Sequence, residues 1–101
     1  MFIKDMLSEE LQNSLQIKDD YLNAIEALPR GSLVRKVIGG IPYFYLAYRD
    51  GAKVKFDYLG KLSDDDVSRY AEFKKSRAEY RKRLSEVNKQ IRYIEKVLRA
   101  K

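Results

Sequence analysis

Residues 32–60 read SLVRKVIGGIPYFYLAYRDGAKVKFDYLG. β-Branched and aromatic side chains dominate this run, and Gly39-Gly40 and Asp50-Gly51 interrupt it, which is the pattern of strands joined by tight turns. The spacing predicts a three-stranded antiparallel meander with strands near Leu33–Ile38, Tyr43–Arg49 and Ala52–Leu59. Pro42 falls at the entrance of the middle strand, where a missing backbone donor is tolerated.

Turn length decides which side chains share a face, because a slip of one residue sends every side chain of a strand to the other side. With Asp50-Gly51 as a two-residue turn, Phe44, Leu46 and Tyr48 share a face with Lys53 and Lys55, a poor core. With Arg49-Asp50-Gly51 as a three-residue loop and Gly51 left-handed, Phe44, Leu46, Tyr48, Ala52, Val54, Phe56 and Tyr58 form one apolar side. The second register is the expected one. Leu33, Val37 and the edge residue Arg35 then join the apolar side through a two-residue Gly39-Gly40 turn. The outer side holds Val34, Lys36, Ile38, Tyr43, Tyr45, Ala47, Lys53, Lys55 and Asp57, a basic and aromatic surface.

Helices flank the sheet. From about residue 3 to residue 28, Leu7, Leu11, Leu15, Leu22, Ile25 and Leu28 recur at helical spacing, and Ile17, Tyr21 and Ala24 widen the stripe. Pro29 and Gly31 end it. Ser63 followed by Asp64, Asp65 and Asp66 starts a second helix over about 64–99, with a hydroxyl cap and carboxylates at the positive end of the helix dipole. Along it Tyr70, Phe73, Arg77, Tyr80, Leu84, Val87, Ile91, Ile94 and Leu98 follow a coiled-coil period. At about 1.5 Å per residue this helix is roughly 54 Å long and the first roughly 39 Å. A seam longer than its cover predicts that Leu84, Val87, Ile91, Ile94 and Leu98 meet a second copy of the chain, or a partner helix. The fold class is therefore α+β, read as one domain over 1–101.

Composition narrows the function. The 101 residues contain no cysteine and no histidine, which removes the commonest zinc ligands, the thiol nucleophile and the usual proton carrier near neutral pH. No glycine loop for phosphate is present, and the acidic pairs Glu9-Glu10 and Asp19-Asp20 are helical neighbours that diverge. No catalytic residue, metal site or cofactor is expected, and the protein reads as a non-enzyme. No signal peptide or membrane span is evident, so the cytoplasm is the expected location. The net charge of +6 is segregated. Residues 1–29 carry two basic and six acidic side chains, residues 30–61 seven and two, and residues 62–101 twelve and seven. A basic sheet with aromatic side chains suits a polyanion. The candidate contacts are Arg35, Lys36, Tyr43, Tyr45, Arg49, Lys53 and Lys55, with the cations on phosphates and the tyrosines offering rings and hydroxyls. The competing explanation is that exposed strands favour tyrosine and lysine anyway, since tyrosine packs across strands and lysine discourages edge pairing.

The segments Leu28-Pro29-Arg30-Gly31-Ser32-Leu33, Tyr43 to Val54 and Tyr58-Leu59-Gly60-Lys61 resemble a group of small uncharacterised bacterial proteins with an N-terminal helix, a tyrosine-rich hairpin and a charged C-terminal helix. The sheet alone is similar to the three-stranded arm-binding domain of tyrosine integrases. That resemblance implies docking of the sheet in the DNA major groove through Arg35, Lys36, Tyr43, Tyr45, Lys53 and Lys55. The integrase catalytic domain has no counterpart here. Two functions are thus expected: a nucleic-acid-binding protein of a mobile element or regulatory system, DNA ahead of RNA, or a protein-interaction module such as a coiled-coil adaptor, an antitoxin-like partner or a phage-encoded inhibitor.

Overall fold

A computed structural model describes residues 2–100. The elements follow in the order α1 (Phe2–Ala27), β1 (Ser32–Ile38), β2 (Ile41–Asp50), β3 (Lys53–Gly60) and α2 (Asp64–Arg99). The sheet is antiparallel in the order β1-β2-β3, and the α+β layout is the one the sequence predicts. The single domain expected over 1–101 resolves into two compact units, one comprising 28–77 and the other 1–27 with 78–101.

In the sheet unit, Gly39-Gly40 makes the two-residue turn between β1 and β2, so that Leu33 opposes Leu46, Arg35 opposes Phe44 and Lys36 opposes Tyr43. The second hairpin departs from expectation. Asp50 pairs with Lys53, Tyr48 with Lys55, Leu46 with Asp57 and Ala47 with Phe56. The turn is Gly51-Ala52, with φ of 63° at Gly51 and no positive φ at Ala52. Glycine first and an ordinary residue second is the type II′ solution, which matches the strand twist without a loop residue to spare. The three-residue loop is therefore wrong, and all of β3 is turned over relative to it. Val54, Phe56 and Tyr58 lie opposite Phe44, whereas Lys53, Lys55 and Asp57 lie on the Phe44 side. A bulge between Phe44 and Tyr45 pairs Phe44 with Gly60 and skips Leu59.

The Phe44 side packs toward the first turns of α2. Phe44 is 6% exposed and shares a cleft with Leu33, Val67, Tyr70, Ala71 and Phe73. Helix α2 starts as its sequence dictates, with the Asp66 amide donating to Ser63 Oγ at 3.1 Å. Arg77, the polar member of the α2 seam, is buried. Its guanidinium donates to the carbonyl oxygens of Gly31, at 3.2 Å, and Pro29, tying the Pro29-Arg30-Gly31 segment to the helix. Gly31 itself sits at φ 96°, and a Cβ there would lie 2.4 Å from the Ala47 carbonyl oxygen. Only glycine fits the approach of this segment to β2.

In the helical unit, Tyr21 meets Tyr80 at 6.1 Å between ring centroids and Gln90 donates to Glu10 at 3.1 Å. Contact positions that fall along one helix as they rise along the other define an antiparallel pair. Its seam on α1 is Leu7, Leu11, Ser14, Lys18, Tyr21 and Ile25, all buried or half-buried, with Ser14 2% exposed. These alternate by four and three, the narrow seam of a two-helix coil. Leu15 and Leu22, expected on the inner stripe, are exposed for the same reason. Opposite them, Ile91 and Ile94 are buried and Leu84, Val87 and Leu98 half-buried. The five residues expected at an interface between copies thus face α1 of their own chain. The difference in helix length misleads because α2 before Ala78 belongs to the sheet unit, leaving α1 only the remainder to cover. On the rim, hydrogen bonds that the exposed Arg83 guanidinium donates to Tyr21 and then to Glu79 hold it above its ordinary pKa.

Candidate functional site

The open side of the sheet carries Val34, Lys36 and Ile38 from β1, Ile41, Tyr43, Tyr45, Ala47 and Arg49 from β2, and Val54, Phe56 and Tyr58 from β3. Strand alternation puts these on one side, and no other element of the sheet unit covers them. Val54, Phe56 and Tyr58 are 55, 59 and 61% exposed, and Val34, Ile38 and Ile41 are exposed as well. Tyr58 stands between the other two tyrosines, its ring centroid 5.2 Å from Tyr45 and 6.4 Å from Tyr43, tilted against both. Two shallow hollows adjoin on this face. One lies among Val34, Lys36, Tyr45 and Phe56, the other among Ile38, Tyr43, Tyr45 and Tyr58.

The structure divides the seven expected contact residues. Lys36, Tyr43, Tyr45 and Arg49 come together on the open side; Arg35, Lys53 and Lys55 lie on the other. Lys55 pairs there with Asp50 at 2.7 Å, both side chains about half exposed, an ion pair worth little to stability. Beside it the Tyr48 hydroxyl donates to Asp57 at 3.3 Å and the Arg30 guanidinium lies 4.5 Å from the Tyr48 ring centre. The expected basic and aromatic surface is corrected to an apolar and aromatic one bearing two cations. Among the described residues neither Lys36 nor Arg49 has an ion pair.

Phe56 and Tyr58, with Val34, Ile38, Ile41 and Val54, are the members of the face that sequence reasoning left out of the site. Glycine at the first position of a two-residue turn is the signal that places Phe56 and Tyr58 there. No group of acidic side chains able to hold a metal ion occurs among the described residues, and no described helix is long and apolar enough to cross a membrane.

The model of a domain of unknown function, DUF6788, matches residues 7–69, well over half of the chain. The chain belongs to that family. The DUF6788 match takes in most of α1, the whole sheet and the opening of α2, so every residue of the open face lies within it. No curated protein and no solved structure matches the chain.

Proposed function

We propose that the protein is a non-catalytic binding module whose open sheet face takes single-stranded nucleic acid. The observation that carries this is the cluster of Tyr43, Tyr45 and Tyr58 on an uncovered face, with Phe56 beside it. Aromatic rings on an exposed sheet accept unpaired bases by stacking, at about 1–3 kcal/mol per base. Lys36 and Arg49 stand on the same face to meet phosphates, and the sheet unit holds most of the excess charge. Its eleven basic and six acidic residues give a net +5, against +1 for the rest of the chain. Reading of duplex edges is less well served, since a face of Val, Ile, Phe and Tyr offers few donors and acceptors to a major groove.

The test is fluorescence anisotropy with labelled single-stranded and duplex oligonucleotides at two salt concentrations. Single strands are expected to bind more tightly, and Tyr45→Ala and Tyr58→Ala each to weaken binding by about 1–3 kcal/mol. Lys36→Glu or Arg49→Glu should flatten the log–log salt slope by about 0.7 for each phosphate no longer neutralised. Absence of binding to every oligonucleotide at low salt refutes the proposal.

One observation favours a second reading, a protein partner on the same face. Val34, Ile38, Ile41 and Val54 are aliphatic and exposed; they give a base nothing to stack on but match an apolar partner surface rimmed by polar groups. Recovery of one stoichiometric protein from nuclease-treated host lysate, lost in Phe56→Asp, supports this reading over the first.

A further inference from the structure

The other side of the sheet holds a cleft of about 300 Å³ between β1, β2 and the opening turns of α2. Phe44 lies buried at its base, Val67, Tyr70, Ala71 and Phe73 wall it from the helix, and Pro29, Gly31, Ser32 and Leu33 form the remaining wall. Tyr70 and Phe73 meet edge to face at 6.0 Å, which sets two aromatic surfaces at right angles. The Pro29–Gly31 wall is held by the two carbonyl contacts of buried Arg77 and by the absence of a Cβ at Gly31, so the opening is built into the packing. Two charged side chains line it, Arg35 and Lys74, and both are cationic. Neither has an ion pair among the described residues, and no carboxylate is among the lining residues.

We infer that this cleft is a binding site for a small amphipathic anion, a planar apolar body ended by a carboxylate. The volume lies at the lower end of the roughly 300–1,000 Å³ of small-molecule sites, enough for a metabolite. Aromatic walls receive the apolar body, and the carboxylate is met by Arg35 and Lys74 at the mouth, through charge-assisted hydrogen bonds. The site lies across the sheet from the tyrosine cluster and does not depend on what binds there.

The experiment is a two-dimensional ¹H–¹⁵N NMR titration of the full chain with 2-naphthoate and, separately, with its uncharged counterpart 2-naphthalenemethanol. Saturable shifts are expected at Leu33, Phe44, Tyr70, Ala71 and Phe73, with the uncharged compound binding on the order of tenfold more weakly. Arg35→Gln combined with Lys74→Gln, both at exposed positions, should abolish that preference while keeping the apolar affinity. Ala71→Phe, which fills the cleft from an exposed helix position, should eliminate binding of both compounds. Equal affinity for the two compounds overturns the inference. So do shifts confined to Tyr45, Phe56 and Tyr58, or binding unchanged by Ala71→Phe. None of these results alters the oligonucleotide titration, so the two sites fail separately.

Discussion

The open face of the sheet carries more apolar and aromatic residues than the Phe44 face, yet it is the Phe44 face that is covered. On one, Phe44 is enclosed by helix α2 and the Pro29–Gly31 segment. On the other, Phe56 and Tyr58, as large as Phe44, stand more than half in water. Burial here follows from what lies opposite a side chain and not from how apolar it is. An apolar face left in water forgoes about 25 cal/mol per Å² of burial, and that unclaimed area is what the proposed binding at the open face rests on.

The contrast between the faces breaks most readily at Phe44. Phe44→Ala should remove about 3–5 kcal/mol of stability by urea denaturation, a large share of the total for a small domain. A loss below about 1 kcal/mol means that Phe44 is not the core. Gly31→Ala should come next, at about 3 kcal/mol, because a left-handed backbone and a collision with the Ala47 carbonyl oxygen combine. A thermal melt unchanged from wild type would show that the segment has room to move. Arg77→Met leaves the Pro29 and Gly31 carbonyls without their charged donor and should lower stability by about 2 kcal/mol; amide exchange should quicken across residues 29–33. At the small end, Phe56→Ser on the open face should change the unfolding free energy in urea by no more than about 0.5 kcal/mol. Destabilisation as large as that of Phe44→Ala would erase the distinction between the faces.

How much of this is legible in residues 32–60 turns on the two hairpins. Gly39-Gly40 admits one obvious register, and there expectation and structure agree from Ser32↔Ala47 to Ile38↔Ile41. Asp50-Gly51-Ala52 admits several, and periodicity cannot choose among them, because β3 alternates Lys53, Lys55 and Asp57 with Val54, Phe56 and Tyr58. Placing the apolar set inward is the natural choice for a sheet that must bury a face, and it fails because this sheet leaves an apolar face open. The candidate site suffers in proportion. Alternation along the strands finds Lys36, Tyr43 and Tyr45, leaves Arg49 in an expected loop, sends Lys53 and Lys55 to the wrong side, and hides Phe56 and Tyr58 in an imagined core.

Local chemistry determined the elements. Helix caps, glycine turns and the spacing of apolar residues act within a few positions along the chain, so the order helix, three strands, helix, the Ser63 cap and the break at Pro29 follow from the sequence alone. Tertiary structure decided what each surface touches. Which way β3 turns depends on backbone angles at Gly51 and Ala52, and what covers Leu84 to Leu98 depends on a helix at the opposite end of the chain. Such pairings are chosen by the free energy of the whole packed arrangement, and no local window of sequence contains it.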